Sequence, residues 1–195
     1  MPNVSKPTTG RRGPYAKTAE RRQKILRTAI EVFAEYGYHG SSLREIAARV
    51  GMSETGLTHH FGGKAALLAA VIQERDEEDR DRWNTIGNLH NLIAQNARRP
   101  GIVALFTLLS AEGTAPAHPA HEFFSGRYET VRNNLAELVR AAQAEGSIRA
   151  ELDPGVVAQI LIAVMDGLQV QWLYDRDADM VDAFDNLIAT WLSPP

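Results

Sequence analysis

The chain contains no cysteine, which excludes disulfides and thiolate metal sites. Its N-terminus lacks the apolar core of a secretory leader, so the sequence reads as cytoplasmic. No apolar run stands out as long enough to span a bilayer, and no membrane association is expected. No run of β-branched residues alternates with polar ones, as half-buried strands require. There is no Gly-rich phosphate loop, no activated-nucleophile motif and no defensible pair of catalytic acids. Enzymatic chemistry is therefore not expected, nor any cofactor. No internal repeat is present, and low complexity is confined to the N-terminal arm.

What is present is ordinary globular material. The 195 residues are 44% hydrophobic and 23% charged, enough for one large domain or two small ones. Charge is distributed unevenly. Met1–Lys64 carries 11 Lys+Arg against 5 Asp+Glu, a net of +6, and the remainder 10 against 19, a net of −9. A basic head on an acidic body points to a nucleic-acid-binding module joined to something else.

The pattern is helical throughout. Residues 1–18 read as a flexible basic arm, rich in Pro, Gly and Thr, with Lys6, Arg11, Arg12 and Lys17 available to a minor groove. A first helix is expected from Thr18 to Tyr36, with Ile25, Leu26, Ala29, Ile30 and Phe33 on one face and Gly37 ending it. Ser42-Leu43-Arg44-Glu45 has the form of a capping box opening a second helix. Gly51 then turns the chain, and Ser53 caps a third helix running to about His60. A fourth begins at 63–74 and leads into nine consecutive charged residues, Glu74–Arg82, read as a solvated face. Further helices are expected over 84–98, 101–112, 120–145, 154–174 and 179–192. Asp153-Pro154 is a helix start, a cap followed by proline at the first helical position.

Within this series, Ser41–Lys64 reads as a helix-turn-helix, a device that sets side chains in the DNA major groove. Ala47 and Gly51 keep the crossing small, and Leu57 anchors the second helix. An αα-hairpin without a DNA role would show similar spacing. His59 and His60 are adjacent and point apart, so they make no metal-ligand pair. His118-x-x-His121-Glu122 has helical spacing but lies after Pro116 and Pro119, and reads as polar residues on the surface of a loop. No metal site is expected.

The helix R-R-Q-K-I-L-R-T-A-I-E-V-F-A-E-Y-G-Y, the stretch S-L-R-E-I-A-A-R-V-G-M-S and the ending L-T-H-H-F-G-G-K-A-A-L-L resemble the TetR family of bacterial transcriptional regulators. The resemblance covers about residues 19–79. It implies an all-α fold: an N-terminal three-helix helix-turn-helix DNA-binding domain (19–79, motif about 42–61) and a larger helical effector-binding and dimerisation domain (80–195). It also assigns roles. Ser42 and Arg44 would meet phosphates or the groove. Ser53, Glu54, Thr55, Gly56, Thr58, His59 and His60 would lie on or beside the recognition helix. Lys64 would meet a phosphate at the start of the fourth helix. Thr58 stands where the family usually has a tyrosine that contacts the DNA backbone. Glu54 fits either a contact to cytosine or a first-turn acid favoured by the helix dipole.

For the body the resemblance implies a homodimer on a double-stranded operator and an unidentified small-molecule effector. Val157, Ile160, Leu161, Val164 and Leu168 form one stripe, and Val181, Phe184, Leu187, Ile188 and Trp191 another. Part of each is expected to pair with a second copy. An effector pocket is expected around Trp83, Leu89, Leu92, Phe106 and Leu109, and around Phe123, Tyr128, Met165, Gln169 and Trp172. The expected function is a ligand-responsive dimeric repressor. The competing readings are a helical interaction protein with a structural helix-turn-helix and, more remotely, an all-α enzyme.

Overall fold

A computed structural model of the chain describes residues 14–79 and 84–194. Among these, the regular structure is helical: α1 (Pro14–Gly40), α2 (Leu43–Val50), α3 (Glu54–Phe61), α4 (Lys64–Asp79), α5 (Leu89–Asn96), α6 (Pro100–Glu112), α7 (His121–Ala144), α8 (Pro154–Tyr174) and α9 (Met180–Leu187). One 3₁₀ turn (Ile86–Asn88) precedes α5, and a π-turn (Ile188–Leu192) extends α9. The all-α expectation holds, with element ends within a few residues of those read from the sequence.

Local chemistry fixes the ends. α1 begins at Pro14, four residues before Thr18, because proline is preorganised for the first helical position. The tail of the expected flexible arm is thus helical. Lys6, Arg11 and Arg12 lie outside the described residues, as does the side chain of Lys17. Gly37 interrupts α1 at φ 69°, ψ 179°, a conformation essentially restricted to glycine. A Cβ there would sit 3.1 Å from Glu112 Oε1 and 3.3 Å from Leu108 Cδ2. α6 therefore presses against the kink, and the kink aims the chain into α2.

Ser42 caps α2 by accepting the Glu45 N–H at 3.1 Å. The return half of the capping box is not what Glu45 makes, for its carboxylate pairs with Arg49 at 2.7 Å. Gly51 closes α2 in the left-handed conformation, φ 82°, and Met52 N–H reaches back to Ala47 O at 2.9 Å, a Schellman ending. Asp153 caps α8 by accepting Val156 N–H at 2.9 Å, with Pro154 behind it. Asp179 caps α9 by accepting from Val181 and Asp182.

Two cores are buried. The first joins α1–α4 around Ile25, Phe33, Ile46, Leu57, Leu67 and Val71 and takes in Leu105, Phe106 and Leu109 of α6 and Phe124 of α7. It crosses the division expected near residue 80, so head and body share apolar surface. The second joins α5, α7, α8 and α9 around Leu89, Leu135, Val139, Leu161, Trp172 and Phe184.

One exclusion made from the sequence needs correcting. α8 is, by length and composition, long and apolar enough to cross a membrane. Its apolarity has a local cause. One face (Val157, Leu161) is core, another lines a cavity, and a third leaves Val156, Ile160, Val170 and Tyr174 exposed.

Candidate nucleic-acid interface and pocket

α2 and α3 meet at the Gly51 turn with Ala47 and Leu57 wholly buried. The opposite side of α3 is polar: Ser53, Glu54, Thr55, Thr58, His59 and His60 are all exposed, as are Ser42 and Arg44 at the start of α2. The sequence-derived candidates are thus brought onto one edge of the head, except two. Gly56 is half-buried, and a Cβ on it would lie 3.1 Å from Ser53 Oγ and 3.3 Å from Met52 Cε. Its missing side chain makes room for the Ser53 cap, which accepts Gly56 N–H at 3.1 Å, rather than for DNA.

Lys64 is the second exception. Its Nζ donates to Tyr38 O at 2.7 Å and Ser41 O at 2.9 Å, and lies 4.4 Å from the Tyr38 ring centroid. Two of the three ammonium N–H donors are thus taken by the link between α1 and α2. Lys24 acts similarly from α1, donating to Val50 O at 2.9 Å. The geometry therefore gives Lys64 a bracing task ahead of a phosphate contact.

The body holds a cavity of about 460 Å³ between α4, α5, α6, α7 and α8, within the usual range for ligand sites. Among the expected lining residues, Leu89, Leu92, Phe106, Phe123, Tyr128, Met165 and Gln169 do border it. Leu109 and Trp172 do not. Leu109 is wholly buried in the first core, and Trp172 belongs to the second. Trp83 lies outside the described residues.

The polar lining was not anticipated. Arg75 and Asp76 of α4 line the cavity together with Asn96, Arg127 and Asp166. The reading of Glu74–Arg82 as a solvated face fails in its first turn. Arg75 is buried with its guanidinium 4.6 Å from the Phe106 ring centroid. Asp76 accepts Arg127 Nε at 2.7 Å and Nη2 at 3.0 Å, and the Arg127 guanidinium also lies 4.4 Å from the Phe106 centroid. Glu74 turns toward α1, where it accepts from Gln23 and lies 3.8 Å from Arg22. Nine charges in a row carry no periodicity that would distinguish an inward turn from an outward one. Tyr128 donates to Asp166 Oδ2 at 2.8 Å. Burial, reinforced by the adjacent carboxylate, pushes the Tyr128 hydroxyl up to about 12. Burial also raises Asp166 above the ordinary carboxylate range.

Head and body meet a second time beside Gly37. Glu112 Oε2 accepts Tyr38 N–H at 3.3 Å and lies 3.7 Å from His118 Nε2. The His118 ring packs 5.1 Å from both Tyr38 and His39, and its Nδ1 accepts Ala120 N–H at 3.1 Å. The expectation that His118-x-x-His121-Glu122 lies on the surface holds for Glu122 and fails for His118. His118 is 7% exposed, and His121 Nδ1 lies 2.8 Å from Gly113 O. His118 stands in a loop as expected but is buried against α1, whereas His121 and Glu122 open α7, His121 half-buried and Glu122 exposed.

Comparison with known proteins covers both parts. Residues 25–71 match the family model for bacterial regulatory proteins of the tetR family, and residues 89–193 that for the C-terminal part of BetI-type transcriptional repressors. The transcriptional regulator UidR of Escherichia coli K12 is 26% identical over 155 residues, covering 75% of this chain and 79% of that protein. The transcriptional repressor BepR of Brucella suis is 25% identical over 194 residues, covering 90% and 91%. Among solved structures, Salmonella enterica GusR superposes with a TM-score of 0.75 at 27% identity over 89% of this chain and 95% of that one. A transcriptional regulator from Saccharomonospora viridis in complex with choline gives 0.73 at 22% identity over 91% and 100%.

Proposed function

The chain belongs to the TetR family of bacterial regulatory proteins and is a DNA-binding transcriptional regulator; from that premise we propose a cytoplasmic homodimer that holds a two-fold operator and releases it when a small molecule fills the α4–α8 cavity. The family is one of regulators, so neither an enzyme nor a purely structural helix-turn-helix is the reading adopted.

The observation that carries the DNA-reading assignment is the sidedness of α3. Leu57 is wholly buried, while Thr55, Thr58, His59 and His60 stand exposed beside the Ser53 cap. One such helix reads only a few base pairs, so specificity requires paired half-sites. Thr58 reaches less far than a tyrosine and offers a hydroxyl to a phosphate or a methyl to thymine. Glu54 occupies the first turn, where the helix dipole favours it. The division of labour is 19–79 for DNA and 80–195 for effector and dimer, with the C-terminal half of α4 (Arg75, Asp76) also lending the cavity part of its wall.

The second copy is assigned to the exposed apolar stripe of α8 and the C-terminal turn: Ile160 is 45% exposed, Tyr174 91% and Trp191 64%. Val157, Leu161 and Phe184 are core instead, so only part of each expected stripe is available to a partner.

Signal passes through α4. Asp76 is held by Arg127 on the cavity wall, and Glu74, two residues earlier, is held by α1 through Gln23 and Arg22. The Arg22 guanidinium in turn lies 5.3 Å from the ring centroid of Phe61, the last residue of α3. A ligand that displaces Arg127 therefore moves α4 against the head. An effector with higher affinity for the displaced state lowers operator affinity by the same coupling energy.

A gel shift with DNA from the region upstream of the protein's own gene tests the reading. Sequence-selective binding that weakens steeply with salt is expected. Equal affinity for this DNA and an unrelated fragment at every salt concentration would overturn it.

A further inference from the structure

We infer that each half-site is selected through a thymine C5-methyl group, and that Thr55, with Thr58 beside it, is the residue that reads it. The inference rests on the assignment of α3 as the helix that enters the major groove. Its starting point is what α3 does not carry. Arg and Lys recognise guanine there, and Asn and Gln adenine, each by paired hydrogen bonds. None of these four residue types occurs in α3, E-T-G-L-T-H-H-F. The nearby cations are engaged within the head. Arg49 is paired with Glu35 and Glu45, and Lys24 and Lys64 donate to backbone carbonyls. Arg44 belongs to α2, and the first helix of this motif crosses the DNA backbone. Ser53 Oγ is committed to the Gly56 N–H.

Helix geometry ranks what remains. Leu57 is wholly buried and marks the core side of α3. Counted from it at about 100° per residue, Thr55 stands roughly 160° away, His59 roughly 200° and Thr58 roughly 100°. All three are exposed. Thr55 and His59 therefore face most directly away from the core. Thr58 is the neighbour of Thr55 three residues on along the same side. Two threonine methyls then form one small apolar edge, and thymine is the base that shows a methyl in the major groove. Contact between them withdraws apolar surface from water on both partners. The His59 imidazole offers single hydrogen bonds and not a fork, so it orients the base without replacing the methyl contact. Cytosine is the competing reading, because its N4 amine would donate to a carboxylate. Glu54 supplies one, but it stands only roughly 60° from Leu57, on the flank of the helix.

The test uses the full-length protein and a duplex that it enriches from a randomised pool. Each thymine of the duplex is replaced in turn by deoxyuridine, which removes the methyl and keeps the base pair. At one position in each half-site the replacement is expected to weaken binding about 4-fold, and in both half-sites together about 15-fold, the value of one buried methyl each. Exchanging the same pair for 5-methylcytosine·guanine is expected to leave tighter binding than cytosine·guanine, since only the former keeps the methyl. Thr55→Ser/Thr58→Ser loses both side-chain methyls and keeps both hydroxyls. This variant is expected to bind the thymine and deoxyuridine duplexes within about 2-fold of each other. Deoxyuridine without effect at every position, or an effect undiminished in the serine variant, would overturn the inference in a protein that still binds its selected duplex. So would a cytosine in place of the thymine that binds as well and loses its advantage in Glu54→Gln. Failure to enrich any sequence would instead overturn the proposed function, and the inference with it.

Discussion

Lys64 shows how one side chain changes meaning once its neighbours are known. Its position after the recognition helix suggests a phosphate contact, yet its ammonium holds Tyr38 O and Ser41 O. Replacing it by alanine removes two charge-assisted hydrogen bonds, which costs about 1.5–3 kcal/mol each in typical cases. Lys64→Ala should therefore lower the denaturation midpoint and leave the salt slope of operator binding unchanged. A slope reduced by about one unit with stability intact would restore the phosphate role. Gly37 and Gly51 form a second contrast. At Gly51 nothing lies within 4 Å of the added methyl, so Gly51→Ala carries only the cost of a left-handed alanine, about 1 kcal/mol. Gly37→Ala adds a collision with Glu112 and Leu108 to a conformation closed to other residues, and should cost about 2–3 kcal/mol by chemical denaturation.

His118 gives the residue scale its pH dependence. Burial holds its imidazole below the ordinary histidine value, opposed by Glu112 and reinforced by His39. The unfolded chain, with an ordinary value of about 6.5, therefore takes up the proton first on acidification. This contribution to stability is complete above that pH and is lost as pH falls through and below it. The melting temperature should drop between about pH 7.5 and pH 5.5, and His118→Gln should flatten that drop. Glu112 of α6, Tyr38 and His39 of α1 and the Ala120 backbone face the ring, so the loss should fall on the head–body junction.

Among the elements, α2 and α3 were legible in the sequence because each carries its own punctuation. Ser42, Gly51 and Ser53 are local signals, and the structure uses all three. α8 was legible through Asp153-Pro154. α4 was not. Its first half shows Leu67, Leu68, Val71 and Ile72 at helical spacing, but uninterrupted charge from Glu74 onward hides which residues turn inward. Only the approach of Arg127 from α7 and of Gln23 from α1 determines that, and both are 51 residues distant in sequence. The same reason explains why Arg75 and Asp166 were missed as cavity residues, whereas Phe106, Phe123 and Met165 were among the aromatic and apolar residues of the body in which the resemblance placed a pocket. On the proposed path from cavity to head through α4, Asp76→Asn should leave unliganded operator binding within a few-fold. It should also weaken effector-driven release, as read by fluorescence anisotropy of labelled operator. Unchanged release would remove Asp76 from the path.

At the scale of the whole molecule, the basic head and acidic body keep their opposite signs, and the shared first core joins them mechanically. Charge asymmetry was fully legible from the sequence; the shared core was not, because Leu105, Phe106 and Leu109 are indistinguishable by pattern from residues buried within the body alone. The exposed stripe on α8 is the proposed dimer face. Ile160→Asp places a charge in the proposed dimer face and should yield monomers by sedimentation, with helical content retained and operator affinity reduced by far more than any single α3 variant.

The most direct test of the central claim is a hydroxyl-radical footprint on the selected operator, comparing the wild type with His59→Ala and Ile160→Asp. The account predicts two protected blocks about 10–10.5 base pairs apart or a multiple of that, related by a two-fold axis. Base preference within both blocks should change in His59→Ala, and protection should be lost in Ile160→Asp. A single protected block, indifferent to both substitutions, would contradict it.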